Sequence, residues 1–297
     1  MSILRVQGIS KNYGVIQALK QVSFEVPSGS VFGILGPNGS GKTTLLGIVM
    51  DILRPTSGTF QLFDETPGSD HRRRIGTLLE TPNFYHYLSA VQNLEITAAI
   101  KHKDPGDIPR VLDIVDLTNR KNSKFSTYSL GMKQRLAIAA CLLGDPEVLV
   151  FDEPTNGLDP VGIAETRELI RKLNTEGKTI IMASHLLDEV EKVCSHVAIL
   201  QKGTLIAQGH VDEILVSEDI VEIAAADMQI LLATSRQVEG VISITQHNRH
   251  IELLFAPGTA SPEFINQTMA AHGITLSHLR LKKRTLESKF FELTKQG

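Results

Sequence analysis

The segment Gly36-Pro37-Asn38-Gly39-Ser40-Gly41-Lys42-Thr43 carries the most specific chemistry in this sequence. It matches the phosphate-loop pattern, and it sits where the pattern demands, between a short apolar run ending at Leu35 and a stretch from Lys42 to Met50 whose apolar spacing turns helical. Glycines are required there because backbone N–H groups must turn inward around phosphate oxygens, and a side chain blocks that approach. The following helix aims its positive end at the same anion. Lys42 suits neutralisation of the outer phosphates, and the Thr43 hydroxyl suits Mg2+. A second segment, Val148-Leu149-Val150-Phe151-Asp152-Glu153, is an apolar run ending in two carboxylates. An acidic pair after a strand is most often a turn or a helix cap. Beside a phosphate loop, Asp152 can hold Mg2+ through water and Glu153 can polarise the water that attacks a terminal phosphate.

The elements that must position these groups follow from periodicity. Leu4 to Ile9, Ala18 to Val26, Val31 to Leu35 and Gly58 to Phe63 read as short strands, with Pro27-Ser28-Gly29 as a breaker. Ser89 to Lys103 and Asp107 to Leu117 repeat apolar residues at helical spacing, split by Asp104-Pro105-Gly106, and suggest a small helical insertion over about residues 82–143. Gly131 to Leu143 reads as helix, Val148 to Phe151 as buried strand, Ile163 to Asn174 as helix and Thr179 to Ala183 as buried strand. That alternation implies a parallel sheet covered by helices, an α/β class. Past Ile214 the order becomes strand, helix, strand, strand, helix, strand, ending in a helix from Thr285 to Lys295. This βαββαβ order predicts a small α+β, ferredoxin-like second domain over 218–297, after a first domain over 1–215.

Composition narrows the class further. At 297 residues and 42% hydrophobic content the chain can bury a large core, yet its longest apolar stretches fall well short of a membrane-spanning helix. The N-terminus shows no secretory signal, so the expectation is a cytoplasmic chain. A net charge of −3 argues against a general polyanion surface, and no nucleic-acid partner is expected. Cys141 and Cys194 lie in apolar-periodic stretches and read as buried thiols. His247 and His250 are close together but show no companion ligand at metal spacing, and read as surface residues. Lys282-Lys283-Arg284 reads first as a solvated turn, with acidic lipid heads or a partner subunit as the alternative.

Tyr128-Ser129-Leu130-Gly131-Met132-Lys133-Gln134-Arg135 lies between the phosphate loop and the carboxylates, and Gly157-Leu158-Asp159 and Ala183-Ser184-His185 follow them. This ordered set resembles that of the ABC (ATP-binding cassette) ATPases over roughly residues 1 to 215. The resemblance implies a P-loop NTPase cassette with a helical insertion, ATP and Mg2+ as ligands, ATP hydrolysis, and a head-to-tail homodimer or pair with a similar cassette. It implies a transmembrane permease as partner, and a peripheral place on the inner face of the cell membrane through it. On this resemblance the nucleotide is held by Tyr13, Gly36, Asn38, Gly39, Gly41, Lys42, Thr43 and Thr44, and across the dimer by Ser129 and Gly131, with Asp159 organising the interface. His185 contacts the terminal phosphate and joins Glu153 and Lys42 in catalysis. Thr43, Asp152 and Glu80 are assigned to the metal and Glu80 also to the nucleotide; Glu80 stands where the family has glutamine. Leu130, Met132 and Tyr128 also depart from the usual signature. The Glu80 variation and the Ser-Leu-Gly-Met-Lys-Gln signature are similar to the nucleotide-binding subunits of bacitracin, lantibiotic and related drug or peptide exporters. The alternative is a soluble ABC ATPase acting on ribosomes or nucleic acid.

Overall fold

A computed structural model describes residues 2–79, 83–215, 219–282 and 285–295. Glu80, assigned from the sequence to the metal and the nucleotide, lies outside the described residues, as do Lys283 and Arg284 of the basic run. Contacts divide the chain into two units, Met1–Val211 with Leu293–Gly297, and Asp212–Glu292.

The first unit opens with β1 (Ser2–Tyr13), β2 (Ile16–Pro27), β3 (Val31–Leu35), α1 (Lys42–Val49), β4 (Ser57–Leu62), α2 (Ser69–Arg73) and β5 (Ile75–Leu78). The helical insertion follows as α3 (Ala90–Lys101), α4 (Ile108–Ile114) and α5 (Leu130–Leu142). It closes with β6 (Val148–Asp152), α6 (Pro160–Thr175), β7 (Thr179–Ser184), α7 (Leu187–Val193), β8 (His196–Gln201) and β9 (Thr204–His210).

Six strands form one sheet in the order β5-β6-β7-β3-β8-β9, parallel except for the last pair. Every residue of β3, β6 and β7 is buried, which is why these strands are unbroken apolar runs: a parallel sheet is covered on both faces. Leu45, Leu46 and Ile48 of α1 pack into the core with Ile34, Val150, Ile181 and Ala198, each large side chain contributing about 1.5–3 kcal/mol. A separate antiparallel sheet has the order β2-β1-β4. β1 and β2 run well past the short strands the sequence suggests, because the two-residue turn after Tyr13, with Tyr13 opposite Ile16, lets ladder pairing extend both.

The insertion is set by local capping. The Ser89 hydroxyl accepts from Gln92 N at 3.2 Å while the Gln92 side-chain Oε1 accepts from Ser89 N at 2.9 Å, a reciprocal cap that starts α3. Proline and the Asp104 side chain confine the next helix: Pro105–Asp107 forms a 3-10 turn, so α4 is shorter than the Asp107 to Leu117 span read from periodicity. Tyr128, a departure from the family signature, is buried and donates to Arg120 O at 2.7 Å; it holds the loop before α5 in place.

Both cysteines are buried and unpaired in disulfides, though Cys194 lies just past the end of α7 rather than within a helix. Burial pushes the Cys141 thiol up to about 12, only partly offset by Lys101, and raises the Cys194 thiol as well. Thiolate is therefore scarce at neutral pH. Native protein is expected to resist maleimide labelling, with both thiols reacting in denaturant; rapid labelling of folded protein, read by mass spectrometry, would contradict the packing.

The second unit begins in α8 (Val211–Leu215) and continues with β10 (Asp219–Ala225), α9 (Met228–Ser235), β11 (Val241–Gln246), β12 (Ile251–Phe255), α10 (Pro262–Ala271) and β13 (Leu276–Lys282). A last helix, α11 (Leu286–Lys295), ends the described chain. The sheet order is β11-β12-β10-β13, with every neighbouring pair antiparallel. Val221, Ile223, Ile251, Leu253 and Phe255 alternate onto one face, where they meet Leu231 of α9 and Ile265 and Met269 of α10.

Candidate functional site

Parallel register brings the sequence-distant motifs together. Leu35 pairs with Ser184, and Asp152 with Ala183, so the phosphate loop, the two carboxylates and His185 all leave the sheet at the same carboxyl edge.

The loop is shaped to hold an anion. Gly36 takes φ 153° and Gly41 φ 107°. A Cβ at Gly36 would lie 2.3 Å from Leu200 O, and one at Gly41 would lie 2.8 Å from Ala18 O, so neither position accepts a side chain. Gly203 N donates to Ser40 O at 3.0 Å, and Lys20 N donates to Gly203 O at 2.8 Å, which fastens the loop to the β8–β9 turn and to β2. The β8–β9 hairpin had no counterpart in the sequence reading, yet it buttresses the loop. α1 begins at Gly41 without a side-chain cap, leaving first-turn N–H groups for a phosphate. The buried Ser40 Oγ has no hydrogen-bond partner among the described residues.

Lys42 is 6% exposed and donates to Gly36 O at 2.8 Å and Pro37 O at 3.3 Å. Its ammonium lies 3.4 Å from Glu153 Oε1. The other carboxylate oxygen, Glu153 Oε2, is 2.8 Å from His185 Nδ1 and also accepts from His185 N at 3.4 Å. Glu153 thus bridges Lys42 and His185. Its backbone sits at φ 50°, a left-handed conformation that costs a non-glycine residue about 1–2 kcal/mol. The bond from Glu153 N to Ala183 O, 3.0 Å, and the two side-chain contacts hold that geometry.

Thr43, Asp152 and Glu153 line a cleft of about 550 Å3 together with Asn156, and with Leu130, Lys133 and Gln134 of α5. Asn83, His86 and Phe125 complete the wall. These three lay in no motif, and only the packing of the insertion against the sheet reveals them. A hydroxyl and carboxylates in one cleft form an oxygen donor set that fits Mg2+.

The remaining sequence candidates are placed differently. Ser129 is the N-cap of α5, its hydroxyl accepting from Met132 N at 3.2 Å, and it faces solvent. Asp159 caps α6 by accepting from Gly162 N at 2.8 Å, ahead of Pro160. The Tyr13 ring is 46% exposed at the β1–β2 turn, with Lys11 Nζ 5.1 Å from its centroid.

A family profile described as ABC transporter matches residues 19–156. Over 306 aligned residues the chain is 31% identical to the bacitracin transport ATP-binding protein of Enterococcus faecalis, covering 99% of this chain and 97% of that one. The chain belongs to the ABC transporter family of ATP-hydrolysing subunits. This cassette is also 37% identical over 210 residues to a lantibiotic transport ATP-binding protein of Streptococcus pyogenes, across 71% of this chain and 92% of the relative. A solved dimeric ATP-binding cassette in a post-hydrolysis state with ADP and phosphate matches 70% of this chain and 98% of its own, with TM-score 0.62 and 26% identity. Among the described residues no helix of the ABC subunit is long and apolar enough to cross a membrane.

Proposed function

We propose that this ABC subunit is the motor of an exporter whose membrane-spanning permease is a separate polypeptide, and that its cargo is a peptide antibiotic or a related drug or lipid. The chemical part of this reading is carried by Glu153 standing between Lys42 and His185 at the mouth of the phosphate loop. His185 holds Oε2, so Oε1, on the Lys42 side, is the atom placed to take a proton from the attacking water. Lys42 already lies within the loop, where its ammonium meets the outer phosphates of ATP once they replace its carbonyl partners. The glycine-shaped backbone from Gly36 to Thr44, including Asn38 and Gly39, cradles the phosphates, and the exposed Tyr13 ring stacks on the base. Thr43 and Asp152 would hold Mg2+, which neutralises phosphate charge and orients the reacting oxygens when bound.

Ser129 and Gly131 sit at the start of α5, whose positive end is free to meet the phosphates of a second cassette, with Asp159 organising the interface. The solved dimeric relative supports this pairing. The cargo class rests on the names of the bacitracin and lantibiotic transport relatives. Attachment to the inner face of a membrane comes through the permease. The second unit is a ferredoxin-like module, a reading supported by its βαββαβ order and its β11-β12-β10-β13 sheet, and its role is regulation or assembly.

Affinity purification of the tagged chain from solubilised native membranes tests the partner. A polytopic membrane protein is expected in near-equal amount; recovery of ribosomes or nucleic acid instead would favour the soluble alternative. Truncation after Leu215 tests the modules: ATP binding is expected to persist while regulated turnover or complex formation changes. A folded truncation that binds no ATP would show that the cassette depends on the rest of the chain.

A further inference from the structure

The β11–β12 hairpin closes with His247 N donating to His250 O at 2.9 Å, so these two histidines flank its turn as a cross-strand pair. Their rings stack with centroids 4.6 Å apart and planes 18° from parallel. Strand alternation then puts Glu252 on the same face as His250, because Ile251 and Leu253 point into the core. His247 Nε2 lies 3.1 Å from Glu252 Oε2, and His250 Nε2 lies 3.9 Å from Glu252 Oε1. All three offer a ligand atom within 4.8 Å of the others.

The triad stands on a charged face of the sheet. Glu252 is registered directly opposite Glu222 of β10, and like charges in that position repel across a sheet. Lys282 resolves the conflict by placing Nζ 3.2 Å from one oxygen of each carboxylate. His250 Nε2 also lies 4.0 Å from Glu222, so two carboxylates face the same ring nitrogen, and His278 approaches Glu222 at 3.6 Å.

We propose that His247, His250 and Glu252 form a binding site for a divalent cation of the zinc type. Two imidazoles and one carboxylate suit a borderline d-block ion better than Mg2+ or Ca2+, which prefer oxygen. Donors sharing a tetrahedral zinc stand roughly 3.4 Å apart, as bond lengths of about 2.0–2.1 Å require, so rotation of partly exposed side chains closes the triad without moving the sheet. Three protein ligands leave a fourth position for water. The ammonium of Lys282 competes for Glu252, so zinc must draw that carboxylate away from it.

The test is titration of the full-length, tag-free, metal-stripped chain with zinc chloride alone, against a chromophoric zinc chelator. One zinc per chain is expected, and cobalt substitution should give the visible spectrum of a four-coordinate site. His247→Gln and His250→Gln should each weaken zinc by about tenfold or more, since even outer-shell partners cost that much. Lys282→Met should tighten binding by removing the competitor. The histidine variants should keep the circular dichroism spectrum and the thermal unfolding profile of the native chain, which reports that the unit carrying them is folded. Absence of competitive zinc binding, or unchanged zinc affinity in the His247→Gln/His250→Gln double variant, would overturn the site.

Discussion

Glu153→Gln is expected to retain ATP binding while lowering kcat by about 100- to 1,000-fold, within the roughly 100- to 10,000-fold that a general base contributes. In free energy that is about 2.7–4 kcal/mol of transition-state stabilisation. The amide preserves the shape that sits between Lys42 and His185, and an amide oxygen still accepts from His185 N, but it cannot take a proton from water. Nucleotide should then remain bound with its terminal phosphate intact, and the protein should accumulate as a closed pair of cassettes. Single-turnover kinetics combined with light scattering reads both effects. A monomer turning over at nearly the native rate would remove Glu153 from the role proposed for it. A fall in kcat without a matching rise in KM marks a loss specific to the transition state.

Lys42→Ala is expected to act on the ground state, weakening ATP by about 10- to 100-fold. That figure follows from about 1.5–3 kcal/mol for a hydrogen bond to a charged group. The substitution also leaves Glu153 without its cationic neighbour at 3.4 Å, so negative charge remains at the mouth of the loop as the phosphates approach. ADP should suffer less than ATP, because the lysine answers the outer phosphates. Calorimetry with both nucleotides measures the difference. Undiminished affinity for ATP would show that the loop binds through its backbone alone.

Some of this was legible because it is local. The Gly36 to Thr43 spacing demands close backbone approach, and the structure supplies the reason in the atoms that a Cβ would meet at Gly36 and Gly41. The runs at Val31, Val148 and Thr179 are buried on both faces, so their apolar continuity announces a parallel sheet. In the second unit, alternation at Ile251, Leu253 and Phe255 encodes which face is covered. Other features were illegible because nothing local specifies them. The β8–β9 hairpin that fastens Ser40 has a mixture of half-buried and exposed residues in β9. Asn83, His86 and Phe125 reach the cleft wall through the packing of the insertion. Asp159 showed its motif but not its immediate work as a helix cap.

The sequence by itself determined the chemical groups, the strand and helix periods that carry them, and the family, since these depend on residue types at fixed short separations. Tertiary structure decided which groups meet. Parallel register, through pairs such as Leu35 with Ser184 and Asp152 with Ala183, sets Lys42, Glu153 and His185 in one line of contacts across more than a hundred residues of chain. Strand pairing likewise set His247 against His250 at the surface and brought Lys282 to Glu252, a charged neighbourhood that residue spacing did not announce. The physical reason is the same in both cases. Side-chain direction along a strand is a local property with a period of two, whereas the pairing of one strand with another is a property of the whole sheet.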